Sequence, residues 1–343
     1  MQRLTHGLVL IALTITGLGS QAVAQKTLWG MQRGDFFRVQ TKIDRQTTVQ
    51  LDDDAETTTR ITDTLIFEYR VQGVLASGDI GVQVRVVGGD RQVDGKTDSS
   101  ARRKANLLKS LMVLMTVDPT GVVTKVLDHQ NALRRMLDAH QASHGFGVEG
   151  ITEDVFRSWI SHPFFVGGSP ETFKTQKSQE RIHDASLGLM GRVHTIATCE
   201  TGKTEGPLTS LKISGNPRHF PADSAMLQAP HDVIRFSDVK VTVDSFEGEA
   251  HVALPQESPP DSESESENTP ATNPAAQPPQ KKQRPLFEDM TLQFSLSGEA
   301  TVIINGNEKK IAFRQQQTQT SKLLPGYRVG QNSLHQLFIQ PSR

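Results

Sequence analysis

His140 and His144 stand four residues apart, a spacing that places two imidazoles on one face of a helix, as zinc enzymes use it. Zinc chemistry of that kind also wants a general-base Glu beside the first His. Here Gln141, Ala142 and Ser143 fill the gap and no third ligand is singled out, so no metal and no other cofactor is expected. Near a helix C-terminus the same imidazoles have a structural use, facing the negative end of the dipole. Cys199 is the only cysteine. A nucleophilic thiol needs a basic partner and a cationic field. His194 lies five residues away on the extended run 193–200, so alternation puts it on the opposite face. Cys199 therefore reads as a small buried apolar side chain. Asp52, Asp53 and Asp54 lack the alternating ligands, central Gly and distant Glu of a calcium loop, and read as a solvated turn. Glu153 and Asp154 sit at a helix start, where carboxylates complement the dipole. No Gly-rich phosphate loop, G-x-S-x-G elbow or H-E-x-x-H motif occurs.

The whole-chain numbers exclude further classes. The 343 residues carry 37 Lys+Arg against 38 Asp+Glu, and a nucleic-acid binder would usually show a basic excess. Only 6% of residues are aromatic, too few to offer a stacking platform for single strands. Residues 1–24 have the form of a secretory signal: Arg3, an apolar run from Leu8 to Leu18, and the small-residue site Ala22-Val23-Ala24. Cleavage is expected after Ala24, with a periplasmic or extracellular mature chain. No later run is apolar enough to suggest a transmembrane segment.

The elements that would position any site are mostly strands. Period-two alternation dominates. Phe37, Val39, Thr41 and Ile43 alternate with polar neighbours, and Ile61, Leu65, Phe67, Tyr69 and Val71 repeat the pattern beyond the acidic turn, which predicts a hairpin. Ile80 to Val86, Val239 to Val243 and Met290 to Leu296 read as further strands. Asp118-Pro119-Thr120-Gly121 predicts a turn between strands near 111–117 and 122–127, with Pro second and Gly fourth. Asn305-Gly306-Asn307 predicts a tight loop between 302–304 and 311–313. Helices are few. The segment 128–144 carries Leu133, Met136, Leu137 and His140 at i, i+3, i+4 and i+7. A second helix is expected over 152–160, with Val155, Phe156, Trp159 and Ile160 inward. The stretch Trp159 to Gly168 is compatible with a strand entry, a second-domain start or a lid. Residues 254–285 are rich in Pro, Ser and Glu and poor in apolar groups, so they are expected to be a disordered loop inserted in one sheet.

Leu28-Trp29-Gly30, then Gly34-Asp35-Phe36-Phe37 entering a long strand, and a strand running into Asp118-Pro119-Thr120-Gly121-Val122-Val123 before a helix, together carry a resemblance. The chain resembles a family of exported bacterial β-rich proteins of unknown function. The resemblance implies one curved sheet and supplies no catalytic residue; the 254–285 loop departs from the pattern. A curved sheet crossed by a helix is also similar in outline to periplasmic lipoprotein-carrier folds, an analogy of fold alone.

The expectation is an α+β chain, mostly β: a long-stranded curved antiparallel sheet with one or two covering helices. Residues 25–343 would form one β-rich domain, or two split near 165. The leading function is non-enzymatic binding of an apolar ligand (lipid, acyl chain or peptide) on a concave sheet, with Leu133, Met136, Leu137, Phe156 and Trp159 as candidate contacts. The alternative is a cell-envelope interaction or scaffold protein using the 254–285 loop or the sheet edges. A hydrolase of unrecognised geometry is the third reading.

Overall fold

The computed structural model describes residues 28–52, 54–97, 109, 111–127, 129–131, 134, 153–168, 176–187, 191–206, 208–221, 234–253, 287–304 and 306–326. Twelve strands form one antiparallel sheet. They are β1 Phe36–Leu51, β2 Thr57–Val74, β3 Ile80–Val93, β4 Lys96–Thr97, β5 Met112–Val117, β6 Val123–Leu127, β7 Ser178–Ser186, β8 Arg192–Glu205, β9 Leu208–Phe220, β10 Ile234–Ala253, β11 Phe287–Ile304 and β12 Asn307–Leu323. The order across the sheet is β6-β5-β3-β2-β1-β12-β11-β10-β9-β8-β7, with β4 paired to β3 off this path. Every neighbouring pair is antiparallel, and most are simple hairpins. The exceptions are β3 with β5, which skips β4, and β1 with β12, which joins the two ends of the described chain. Strands 280 residues apart thus meet at the centre, where Thr41 and Ser321 hydrogen bond at 2.9 Å.

The expected turns form. Asp52, at the β1–β2 tip, takes a positive φ of 49°. In the turn before β6, Gly121 donates to the Asp118 carbonyl at 3.0 Å, and the Asp118 carboxylate accepts from the amides of Thr120 and Val122 at 2.9 Å each. Gly306 turns β11 into β12 at φ 83°, with Ile304 opposite Asn307. Residues 254–286 connect β10 to β11, which pair with each other down to Val252 opposite Phe287; the 254–285 loop itself lies outside the described residues. So do residues 1–27 and most of the expected helix 128–144, of which His129 to Asn131 and Arg134 are helical.

One α-helix is described, α1 (Glu153–Ser161), and it runs into a 3-10 turn at His162–Phe164. The stretch expected as a strand entry, domain start or lid is instead this buried helix end. Phe156, Ile160 and Phe164 are fully buried. Both free edges of the sheet, β6 and β7, contact α1. The sheet therefore curls until its two edges approach one segment, which plugs one end of an unclosed barrel. The fit is close. A Cβ on Gly121 would lie 2.0 Å from the Phe164 carbonyl oxygen, and one on Gly167 would lie 2.6 Å from the Gly121 Cα. From the β7 side, Arg181 donates to the Gly167 carbonyl at 2.6 Å. Around the plug, Trp29 stacks on Phe164 with ring centroids 5.5 Å apart, and Phe37 stacks on Tyr69 at 4.8 Å. The Tyr69 hydroxyl donates to the Ile160 carbonyl at 3.2 Å.

Candidate functional site

Alternation along β1 decides what faces the interior. Phe37, Val39, Thr41 and Ile43 are buried on the plug side, so the same face continues through Arg45, Thr47 and Val49 toward the far end. Register carries this face across the sheet. Arg45 lies opposite Ile61 and Gln317; Ile43 lies opposite Asp63 and Gln319; Asp63 lies opposite Arg91. A register shift between Ile66 and Phe67 changes the phase of β3, so its inward residues are Val82, Val84 and Val86 before the irregularity and Gly89, Arg91 and Val93 after it. Without that shift Arg91 would point outward.

The interior thus has three zones along the strands. The plug end is apolar and filled by α1 and the 3-10 turn. The middle is a polar belt: Thr41, Ser321, Gln319, Gln317 and Gln315, with Arg45, Asp63 and Arg91 beside them. The three glutamines are buried, between 5% and 8% exposed. Beyond the belt the face turns apolar again, with Phe313 buried and Val49, Val241, Val243 and Ile311 half-buried.

The belt's hydrogen bonds are ordered. The Arg45 Nε donates to the Gln317 Oε1 at 3.1 Å, and Thr47 donates to the Gln315 Oε1 at 3.4 Å. The Arg91 guanidinium grips Asp63 with two donors, Nη2 to Oδ2 at 2.9 Å. Burial pushes the Arg45 guanidinium pKa down, with Asp63 opposing and Arg91 adding to the effect.

Toward the plug the belt meets two buried histidines. His162 Nδ1 lies 2.6 Å from the Ser321 hydroxyl oxygen. His183 on β7 packs edge-on to His162 and Phe165, and reaches Phe246 on β10 at a centroid distance of 5.4 Å. A contact spanning four strands requires strong curvature, and Gly215 on β9 permits it, since a Cβ there would lie 2.6 Å from Thr195 and 2.9 Å from Phe246. Burial pushes the His183 imidazole down to about 4 and moves His162 well below its usual value. Both rings are therefore neutral at pH 7. The His162 Nε2, His183 Nδ1, Thr195 Oγ1 and Gln319 Nε2 are buried without a hydrogen-bond partner among the described residues.

Of the candidate contacts expected from sequence, Leu133, Met136 and Leu137 lie outside the described residues. Phe156 is fully buried against Phe67 and His129, and Trp159 is half-buried beside it. His140 and His144 are also outside the described residues, and among those described no group of three or more His, Cys, Asp or Glu is placed to hold a metal ion. Cys199 is buried, and burial pushes its thiol up to about 11. His194 lies on the other face, 2.8 Å from Asp184. On the convex face a depression of about 510 Å³ is lined by Thr48, Gln50, Lys240, Glu299 and Arg314. Its Arg314 is ion-paired to Glu56 at 2.6 Å.

No family model and no curated protein matches the chain. Among solved structures, lipovitellin is similar over 88% of this chain at 7% identity and a TM-score of 0.42; the chain spans 26% of that protein's length. Pseudomonas aeruginosa OccK5 (OpdH) is similar at 8% identity over 84% of this chain and 98% of its own, with a TM-score of 0.19. OmpT, an outer membrane protein of Vibrio cholerae, gives 9% identity, 84% and 98% coverage and a TM-score of 0.16. These likenesses carry no residue correspondence. No helix among the described residues is long and apolar enough to cross a membrane.

Proposed function

We propose that the protein is a non-enzymatic, exported binding protein that holds an amphipathic ligand with an acyl-type chain inside the curled sheet. The observation that carries this reading is the far zone of the interior. Val49, Val241, Val243 and Ile311 lie on the inward face, are half-buried, and stand at the end opposite the plug. In a closed core such side chains would be fully covered; an apolar wall left half-exposed on the inward face of a curved sheet suits a small apolar group. Leu133, Met136 and Leu137, apolar at helical spacing, are proposed from the sequence as further contacts. Export rests on the form of residues 1–24, with release after Ala24; Edman sequencing of the periplasmic protein should begin at Gln25.

The test is a binding titration with an environment-sensitive apolar fluorophore. Val241→Asp and Val243→Asp should each weaken binding at least about tenfold while thermal unfolding stays cooperative. Unchanged binding in both variants would defeat the reading.

A second reading, an envelope interaction protein, rests on the edges of the sheet. Ile182 and Ile196 face each other across β7 and β8 at 50% and 53% exposure, and Met112, Leu114 and Leu127 form a similar patch beside β6. Ile182→Lys with Ile196→Lys should abolish a crosslinked envelope partner if the edge is used; an unchanged set of partners would remove this reading.

A further inference from the structure

We propose that Arg45, backed by Asp63, Arg91, Gln317 and Gln319, is the receiving site for a monoanionic oxygen head group on the acyl-chain ligand. This rests on the binding reading above and names the part of the interior that selects the ligand.

Two guanidinium groups and one carboxylate share the middle of an inward face, and Asp63 is already gripped by two donors of Arg91. Arg45 lies one inward position along from Ile43, the partner of Asp63 across the sheet, so the carboxylate it feels is one that Arg91 has engaged. Both arginines are half-buried, and an excess cation partly removed from water loses hydration that an anion can replace. It cannot be discharged by losing a proton at ordinary pH, because guanidinium stays charged. An anion on its covered side supplies that compensation.

The geometry around Arg45 supplies direction. Its Nε is committed to the Gln317 Oε1 at 3.1 Å, which fixes the plane of the fork and leaves the terminal nitrogens to meet another group. Gln319 follows Gln317 on the same face of β12, is 5% exposed, and carries an amide nitrogen with no partner among the described residues. A guanidinium fork and an amide N–H donor together suit an oxygen anion. A charge of minus one balances the excess of the three ionised groups. The placement also suits an amphiphile. The belt lies between the filled plug and the half-buried wall of Val49, Val241, Val243 and Ile311, so a head held at Arg45 sends its chain along that wall.

A carboxylate and a phosphodiester share this chemistry. The experiment uses the protein with cis-parinaric acid, its methyl ester, lysophosphatidylglycerol and inorganic phosphate, at pH 8. The acid should bind at least about tenfold more tightly than the ester, since the ester keeps the chain and loses the charge. Arg45→Gln should remove that preference while leaving ester affinity within about twofold. Displacement of the acid by lysophosphatidylglycerol would extend the head class to phosphodiesters, and failure to displace would restrict it to carboxylates; both support a monoanionic head. Displacement by millimolar inorganic phosphate alone would overturn the lipid assignment. Equal binding of acid and ester would overturn the head-group site while leaving the binding reading intact. No binding of either would overturn both. The acid–ester comparison needs no variant, so it stands even if Arg45→Gln fails to fold.

Discussion

Acid should weaken this fold through His162 and His183, and the size follows from His183. Its imidazole is held at about 4 in the folded chain by burial, against an ordinary value of 6.5. The folded value is depressed, so between those two pH values the unfolded chain binds more protons and stability rises with pH. The contribution is complete above about pH 6.5 and is lost as pH falls toward 4. Linkage gives a loss of about 2 kcal/mol at pH 5 and about 3 kcal/mol at pH 4 from this residue. His162 acts in the same direction, since burial lowers it and His183 adds to the shift. The assay is urea unfolding at pH 7.5, 6 and 5, compared with His183→Phe. Phenylalanine keeps an aromatic ring against Phe165 and Phe246 and removes an unpartnered nitrogen. The variant should lose about 2 kcal/mol less than the parent between pH 7.5 and 5; carboxylate titrations common to both cancel. Parallel pH profiles for the two proteins would refute the reasoning.

Other expectations follow from single contacts. Gly121→Ala should cost about 3 kcal/mol or more, because its φ is 94° and the new Cβ would meet the Phe164 carbonyl at 2.0 Å; a loss below about 1 kcal/mol in urea melts would contradict the docking of that turn on the plug. Phe156→Ala should cost about 3–5 kcal/mol as a fully buried core residue, whereas a ligand contact alone would leave the empty protein's stability nearly unchanged. Tyr69→Phe should cost about 1 kcal/mol for the lost bond to the Ile160 carbonyl, measured by thermal or urea unfolding. Cys199, buried and with its thiol raised to about 11, should resist a thiol-reactive dye at pH 8 in the folded protein and react promptly in urea; fast native labelling would contradict its burial.

Much of this architecture is legible in the sequence, because local pattern and final burial agree. The alternation of Phe37 to Ile43 and Ile61 to Val71 gives β1 and β2 with their faces correct, and the turns at Asp118–Gly121 and Gly306 sit where proline and glycine dictate. Pairing of β1 with β12 was not legible, since alternation names a face and never a distant partner. The polar belt was hidden for a related reason. Arg45 falls in the inward phase, and so do Gln315, Gln317 and Gln319, yet period-two reasoning stops where the apolar residues stop. A charged residue in the inward phase of a strong strand was the available signal. Arg91 could not be placed, because the irregularity near Val86 reverses the phase of β3 and nothing local announces it beyond Gly88 and Gly89. His162 lay in an apolar stretch whose role depended on the sheet curling back onto it.

Mass spectrometry of the protein purified from its own host under non-denaturing conditions, and again after solvent extraction, shows whether the curled sheet carries an acyl ligand. A bound species near one per chain, released by solvent and carrying an acyl chain with a single negative charge, is the expected result. A chain that emerges at its bare mass and takes up neither cis-parinaric acid nor its methyl ester would contradict it.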